Sequence, residues 1–276
     1  MFELIVAMTL WGTLGAFVLW SDLAVIDITF YRCLIGAFVM GCWLIRKKDS
    51  IKLDKSILIT ALAGIFLIVN WMLLFKSFQI SSITIGNMSY YLQPIILIIL
   101  GIFIYGEKIN LQKWALIGLT LLGVMLTIDF KNFNSPHILM GVFLALLAAL
   151  FYSFVTILMK SVNLNYFKVI FIQLLIGVVI LFPFIHFQDI SLIAGTCLIA
   201  VAVVHTLLAY YLYYKAIKKT TFTQIAVISY LDPIVAIATD IIFFNRQLNL
   251  YQWIGVVLTF FALYMLVNMS RSTARC

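Results

Sequence analysis

Charged residues are scarce in this sequence: Asp, Glu, Lys and Arg make up 10% of its 276 residues. An average soluble domain contains about 25%. A soluble fold of this length could not solvate its surface with so few charges. Apolar residues make up 65% of the chain, and they occur in long runs rather than in alternating stripes. Such runs are typical of membrane-spanning helices, so we predict one integral membrane unit.

Residues that carry catalytic or metal chemistry are also few. The four cysteines form no Cys-x-x-Cys pair, and three of them lie in apolar runs, which predicts neither a metal site nor a disulfide framework. We find no nucleotide-binding loop and no catalytic triad. These absences argue against an enzyme and against an ATP-driven pump within this chain, and we expect no cofactor.

The apolar runs predict ten transmembrane helices, since about 20 mostly apolar residues cross a bilayer. The first run follows Glu3 and ends without a small-residue cleavage site. We therefore expect it to be a retained helix and not a signal peptide. The predicted spans are Phe2–Trp20, Asp27–Ile45, Ser56–Phe75, Ser82–Tyr105, Gln112–Ile128, Ile138–Lys160, Tyr166–Ile185, Leu192–Tyr214, Phe222–Phe244 and Tyr251–Asn268.

The basic residues indicate orientation. The net charge is +8, but the basic residues lie in short loops between apolar runs, so we do not expect nucleic acid as a partner. With both termini in the cytoplasm, the inside loops hold about 14 of the 18 Lys and Arg residues and the outside loops about three. Of the basic residues, only Arg32 lies more than a few positions inside a span. This bias predicts a protein whose N- and C-termini are both cytoplasmic.

An internal repeat divides the predicted spans into two sets of five. The segment Ser89–Ile95 reads SYYLQPI, and Ile228–Ile234 reads ISYLDPI. The two prolines are 233 − 94 = 139 residues apart. Five helices are an odd number, so the second copy enters from the opposite face. Inverted repeats of this kind are typical of secondary transporters. We predict one five-helix repeat over 1–130 and another over 136–276.

Several short motifs, in their order along the chain, resemble the EamA-type transporters of the drug/metabolite transporter superfamily. These are Trp11-Gly12, Arg32, Tyr91–Pro94 with its copy Tyr230–Pro233, Gly106-Glu107, and Trp114 with Gly118. The resemblance implies an all-α fold of ten helices, with a central cavity lined by helices 1, 3, 4, 6, 8 and 9. It also implies transport, often export, of amino acids, other metabolites or toxic compounds. The second copy departs from the pattern, with Asn245-Arg246 in place of Gly-Glu and Gln173 opposite Arg32.

Two prolines lie inside predicted spans. Pro94 and Pro233 each free the carbonyl four residues earlier, in Tyr90 and Ser229. In a membrane such a carbonyl must be satisfied within the protein or by cavity water. One interpretation is exposure of backbone to substrate at the midplane. The other is an ordinary kink that helps helices to pack.

Two charged side chains within spans are candidates for a functional role. Asp232 is mid-membrane, where a carboxylate costs roughly 2.5–3.5 kcal/mol unless it is paired, hydrated or protonated. It is either a proton-coupling or substrate-amine site, or a structural hydrogen-bonding group. Arg32 lies near the outer end of the second span. It either binds a substrate carboxylate, or it pairs with Asp27, Asp129 or Asp240, or it extends towards the interface.

Aromatic and amide side chains gather in the spans expected to line the cavity. An aromatic-lined pocket with a few polar groups suits amphipathic metabolites. Contact with lipid or with the interfacial belt is the alternative, and a histidine in an apolar span is also compatible with a purely structural hydrogen bond. The candidate substrate-contacting residues are Trp11, Asn70, Trp71, Asn87, Tyr90, Tyr91, Tyr152, His205, Tyr210 and Tyr230.

Together these features predict a secondary transporter of the bacterial inner membrane, and we expect it to be a monomer. The expected substrate is a small metabolite, such as an amino acid or an amine, and the expected direction is export. The expected partners are this substrate, the lipid bilayer and, if flux is coupled, protons. An uncoupled facilitator or channel is the alternative. A membrane enzyme or structural subunit on the same skeleton is disfavoured by the missing catalytic residues.

Overall fold

Every regular element in the described part of the computed structural model is helical. The structure describes residues 1–48, 54–81, 86, 89–106, 109–126, 138–185, 189–244 and 249–273. The helices are α1 (Phe2–Ser21), α2 (Val25–Arg46), α3 (Lys55–Ile80), α4 (Gln93–Tyr105), α5 (Leu111–Leu126), α6 (Ile138–Ser161), α7 (Tyr166–Leu181), α8 (Leu192–Ile217), α9 (Phe222–Ser229), α10 (Leu231–Phe244) and α11 (Leu250–Thr273).

Seven helical stretches among these residues are long and apolar enough to cross a membrane. Two shorter apolar helices, Gln93–Tyr105 and Leu250–Ala262, accompany them. Large apolar side chains point outward, among them Phe103, Leu139 and Leu192, each more than four-fifths exposed. An exterior this apolar needs lipid around it, which agrees with the predicted membrane class.

Most predicted spans differ from the observed helices by a few residues at each end. The fourth and ninth spans differ more. Instead of running unbroken from Ser82, the fourth has a turn at Tyr91 and Leu92, after which α4 begins at Gln93. The ninth is divided at Tyr230 into α9 and α10. In both places a proline stands in the first turn of the new helix, where its missing N–H costs nothing.

The chain forms two compact units, and neither is one half of the sequence. The first consists of Met1–Met72 and Phe154–Lys219, and the second of Leu73–Ser153 and Thr220–Cys276. In the first unit α2 packs against α7, and α1 packs along α8. In the second unit α4 packs against α9, and α5 against α11. The pairs α2–α7, α4–α9 and α5–α11 each join one helix to its counterpart in the predicted repeat.

Close helix contacts in both units are made possible by small residues. In the first unit a side chain added at Gly177 would collide with Cys33 and Ile68. In the second unit one added at Gly101 would collide with Phe222. At Gly141 the carbonyl oxygen accepts a 2.7 Å hydrogen bond from Ser77. The small size of Gly141 therefore lets α6 pack closely against the end of α3 within the second unit.

Candidate functional site

Three predicted residues of the first unit, Trp11, His205 and Tyr210, lie together. The Trp11 ring is 5.1 Å from that of Tyr210, centroid to centroid, in an edge-on arrangement. The Trp11 indole Nε1 donates a hydrogen bond of 3.0 Å to the main-chain oxygen of His205. Trp11 on α1 is thus fixed against α8 by both its ring and its polar atom.

Helix α8 widens into a π-helix at this contact. Residues Val201–Leu208 are wound in the π form, between α-helical segments on either side. The wider turn shifts the main-chain register, and π segments often mark functional positions in helices. The sequence did not predict this feature, because no proline or glycine marks it.

The imidazole of His205 is buried and held at both nitrogens. Its Nε2 is 3.1 Å from the Thr13 hydroxyl, and its Nδ1 is 3.3 Å from the Ala200 carbonyl oxygen. The Phe17 ring packs against it, with 4.7 Å between centroids. These three contacts fix the position of the imidazole, and the substrate role predicted for His205 stays a prediction.

Arg32 and Trp71 form the second feature of the first unit. The guanidinium carbon lies 3.6 Å from the centroid of the Trp71 ring, a cation–π contact, and both side chains are buried. The Tyr210 hydroxyl and the Cys33 thiol are within electrostatic range of the guanidinium. Trp71 and Tyr210, equivalent positions of the predicted repeat, thus both lie near one buried cation.

The guanidinium is only partly satisfied. Its Nε and Nη2 atoms are buried and have no hydrogen-bond partner among the described residues. These atoms therefore do not pair with Asp27, one of the partners considered from the sequence. Asp129 and the side chain of Asp240 lie outside what the structure describes. A buried donor without a partner costs about 1–3 kcal/mol, and more when it is charged.

Sequence reasoning missed a set of buried tyrosines at the end of α8. The Tyr213 hydroxyl is 2.7 Å from that of Thr156, and the Tyr214 hydroxyl donates a 2.5 Å hydrogen bond to Gln173. Tyr213 also lies 5.1 Å from the Trp11 ring. The run Tyr210-Tyr211-Leu212-Tyr213-Tyr214 was the signal available in the sequence. Gln173, which stands opposite Arg32 in the repeat, accordingly has a structural partner.

In the second unit the two helix breaks meet. The Tyr230 hydroxyl donates a hydrogen bond of 3.1 Å to the main-chain oxygen of Tyr91. The two residues are 139 positions apart, which is the repeat offset. Each precedes its proline by three residues. The tyrosine of one copy thus satisfies a carbonyl at the break in the other.

Asp232 and its repeat partner Gln93 differ in how they are satisfied. The Gln93 side-chain nitrogen donates a hydrogen bond of 3.2 Å to the Ser153 hydroxyl. Asp232 is partly buried, and its carboxylate makes no hydrogen bond or ion pair with the residues that the structure describes. The equivalent positions therefore have unlike surroundings, and the charged one lacks a structural partner in the described chain.

The remaining predicted residues are more scattered. Asn70 is buried beside Trp71 in α3. Tyr90 and Tyr152 belong to the second unit and are partly buried. Asn87 lies outside the described residues. No group of three His, Cys, Asp or Glu side chains within the described ranges could hold a metal ion.

These features define a polytopic α-helical membrane protein with buried aromatic and charged side chains. The sequence profile of the EamA-like transporter family matches the chain twice, over residues 1–129 and 139–268. The chain belongs to this family, and the resemblance to drug/metabolite transporters is confirmed.

Individual relatives agree with this assignment. The chain is 35% identical to the uncharacterized transporter YxxF of Bacillus subtilis (strain 168), over 94% of this chain and 86% of that protein. It is 20% identical to the protein RarD of Streptomyces exfoliatus, over 96% and 87% of the two chains. A protein of known crystal structure has the same fold, with a TM-score of 0.83 at 14% identity over 95% of both chains.

Proposed function

We propose that this transporter is a secondary exporter, which moves a small amphipathic metabolite such as an amino acid or an amine across the bacterial inner membrane by alternating access. The proposal includes ten membrane-spanning helices in two inverted five-helix repeats, over 1–130 and 136–276. It also includes cytoplasmic N- and C-termini and a monomeric state.

The hydrogen bond between Tyr230 and Tyr91 is the observation that carries this proposal. Two helices are interrupted at equivalent positions of the repeat, and the interruptions are joined by one side chain. Broken helices in a membrane are tolerated only where protein or cavity water satisfies the backbone. Transporters use such breaks near the midplane to contact substrate and coupling ions.

Aromatic residues that are buried or partly buried indicate the chemical character of the substrate. Trp11, Trp71 and Tyr210 in the first unit, with Tyr91 and Tyr230 in the second, are predicted substrate contacts. Aromatic rings accompanied by few polar groups favour ligands with an apolar body and a polar end.

The carboxylate of Asp232 supports a transport cycle in which substrate flux is coupled to proton flux. A mid-membrane carboxylate without a protein partner is stable when it is protonated or when it binds a cation. Exchange of a proton for a substrate amine at this position would couple the two fluxes. An uncoupled facilitator, the alternative, would have no need for an ionisable group there.

Flux measured in proteoliposomes tests the proposal. Purified protein is reconstituted and screened with labelled amino acids and amines, with and without an imposed pH gradient. Accumulation driven by the gradient supports a coupled transporter, whereas flux that only equilibrates the compound supports the facilitator. Absence of flux for every compound, with protein correctly inserted, would contradict transport of these metabolites.

A further inference from the structure

The guanidinium of Arg32 has one edge that the described chain does not use. Its two unpartnered atoms are Nε and Nη2. Nη2 is the terminal nitrogen on the same side of the group as the Nε–H bond. These two atoms therefore present parallel N–H bonds in one plane, and both are buried in the first unit.

This edge has the geometry that binds a carboxylate. Two parallel N–H donors match the two oxygens of a planar oxyanion, which gives the bidentate arrangement that arginine forms and lysine cannot. The ring of Trp71 covers one face of the guanidinium, 3.6 Å from its carbon. A ligand is therefore directed to the edge of the group, in its plane.

The acidic groups that the structure describes in the first unit do not occupy this edge. The Glu3 carboxylate lies 3.4 Å from Lys215 and 3.8 Å from the terminal amine of Met1. Asp27 is buried in the same helix, but its carboxylate is not on Nε or Nη2, because neither atom has a partner there. The guanidinium and its two unpartnered donors could therefore bind an anion that is not one of these carboxylates.

We infer that the Nε–Nη2 edge of Arg32 binds the carboxylate group of the transported metabolite, with Trp71 holding the guanidinium in position. This inference rests on the proposed transport function and narrows its substrate class to carboxylates, zwitterionic amino acids included. Because Arg32 is only 8% exposed, the ligand reaches it when the helices around it open, as alternating access requires.

A binding comparison on the intact protein tests this assignment. The protein is placed in nanodiscs of phosphatidylcholine alone, and its melting temperature is measured with a panel of small carboxylates. Each carboxylate is paired with its primary amide, which is close in shape but uncharged. We expect stabilisation that rises with concentration for members of the carboxylate set and little for the amides.

Three variants locate the site. Arg32→Lys keeps the charge and loses the paired donors, so apparent affinity should fall roughly tenfold or more. Arg32→Gln should abolish the stabilisation. Lys47→Gln removes a positive charge from an exposed position just after the same helix, and it should bind as the wild type does.

Several results would overturn the assignment. The first is that no carboxylate stabilises the wild-type protein more than its amide does, which decides the matter even if the Arg32 variants fail to fold. The second is stabilisation by phosphatidylglycerol in the nanodisc with none by carboxylates, which makes the edge a lipid phosphate site. The third is carboxylate binding that appears only in Asp129→Asn, which makes the edge half of an internal ion pair.

The flux assay separates this inference from the proposed function. If a substrate without an acidic group is transported equally by wild type and Arg32→Gln, transport stands and the carboxylate site falls. If carboxylates bind at Arg32 but no compound crosses the membrane, the anion site is supported and the proposed transport function is contradicted.

Discussion

The guanidinium of Arg32 and the indole ring of Trp71 lie face to face, 3.6 Å from carbon to ring centroid, within the first compact unit. This contact joins α2 to α3 and stabilises a cation in surroundings that offer it few polar partners. A cation–π contact is worth about 2 kcal/mol or more when it is desolvated, so the ring and the charge are expected to depend on each other.

Replacing Trp71 tests that dependence. We expect Trp71→Ala to lower the free energy of unfolding by about 3–5 kcal/mol, as large-to-small changes in buried sites do. Trp71→Phe keeps a ring face over the guanidinium and should cost about 1 kcal/mol. Thermal melts in detergent measure both. Equal stability of the two variants would show that the ring does not support the cation.

The hydrogen bond between the two helix breaks can be removed by deleting one oxygen atom. Tyr230→Phe deletes the hydroxyl that donates to the Tyr91 carbonyl and leaves that acceptor unsatisfied, which should cost about 1–2 kcal/mol. Tyr251→Phe, at an exposed position, should change stability by less than about 0.5 kcal/mol. Equal losses of stability in Tyr230→Phe and Tyr251→Phe would contradict a specific role for this hydrogen bond.

Asp232 is expected to couple flux to the pH gradient. Asn is nearly isosteric with Asp and does not ionise, so Asp232→Asn should fold and still exchange substrate while losing accumulation driven by the gradient. Asp189→Asn, which changes an exposed loop carboxylate, is the control. Unimpaired concentrative uptake or export by Asp232→Asn would assign this carboxylate a structural role only.

Lys218, just beyond α8, makes stability depend on pH. Its Nζ donates to the carbonyl oxygens of Lys160, at 2.9 Å, and of Val162. Burial, together with the nearby Lys160 charge, lowers the pKa of Lys218 from its usual 10.5. Between the lowered value and the usual one the unfolded chain binds more protons than the folded protein, so the free energy of unfolding rises with pH in that window.

We therefore expect wild type to gain stability relative to Lys218→Met as the pH approaches 10.5 from below. Melts at a series of pH values measure the difference. Lys219→Met changes the adjacent exposed lysine and should show no such trend. If the difference in stability between wild type and Lys218→Met stays constant with pH, the pKa of Lys218 is not lowered.

The orientation of the chain is tested by cysteine labelling. In a background with all four cysteines replaced by Ala, an impermeant reagent added to intact cells should label Ser191→Cys and not Ser50→Cys. Ser191 caps α8 through a hydrogen bond from the Ala194 amide. Ile190→Cys, which lacks this role, gives the same readout without weakening the helix. The reverse labelling pattern would place the termini outside.

The membrane class and most helix positions could be predicted from the sequence because hydropathy reports directly on the bilayer as a solvent, and the family could be predicted from its short motifs and their order along the chain. Pro94 and Pro233 indicated a disturbance within two helices, since proline acts on its own helix, although the predicted spans ran through both positions. The Trp71 and Tyr210 equivalence followed from the 139-residue offset alone. The substrate role of the predicted residues stays a prediction.

Tertiary structure decided which side chains meet. By sequence Arg32 could pair with any of three aspartates, and nothing local indicates that packing places it against Trp71. The π-helix around His205 carries no local signal, and the run of tyrosines at the end of α8 does not indicate that Tyr214 bonds Gln173. Nor does the sequence indicate that each compact unit combines parts of both predicted repeats. Helix formation in a membrane is a local response to the solvent, whereas side-chain partners depend on how distant helices pack, and no local pattern encodes that.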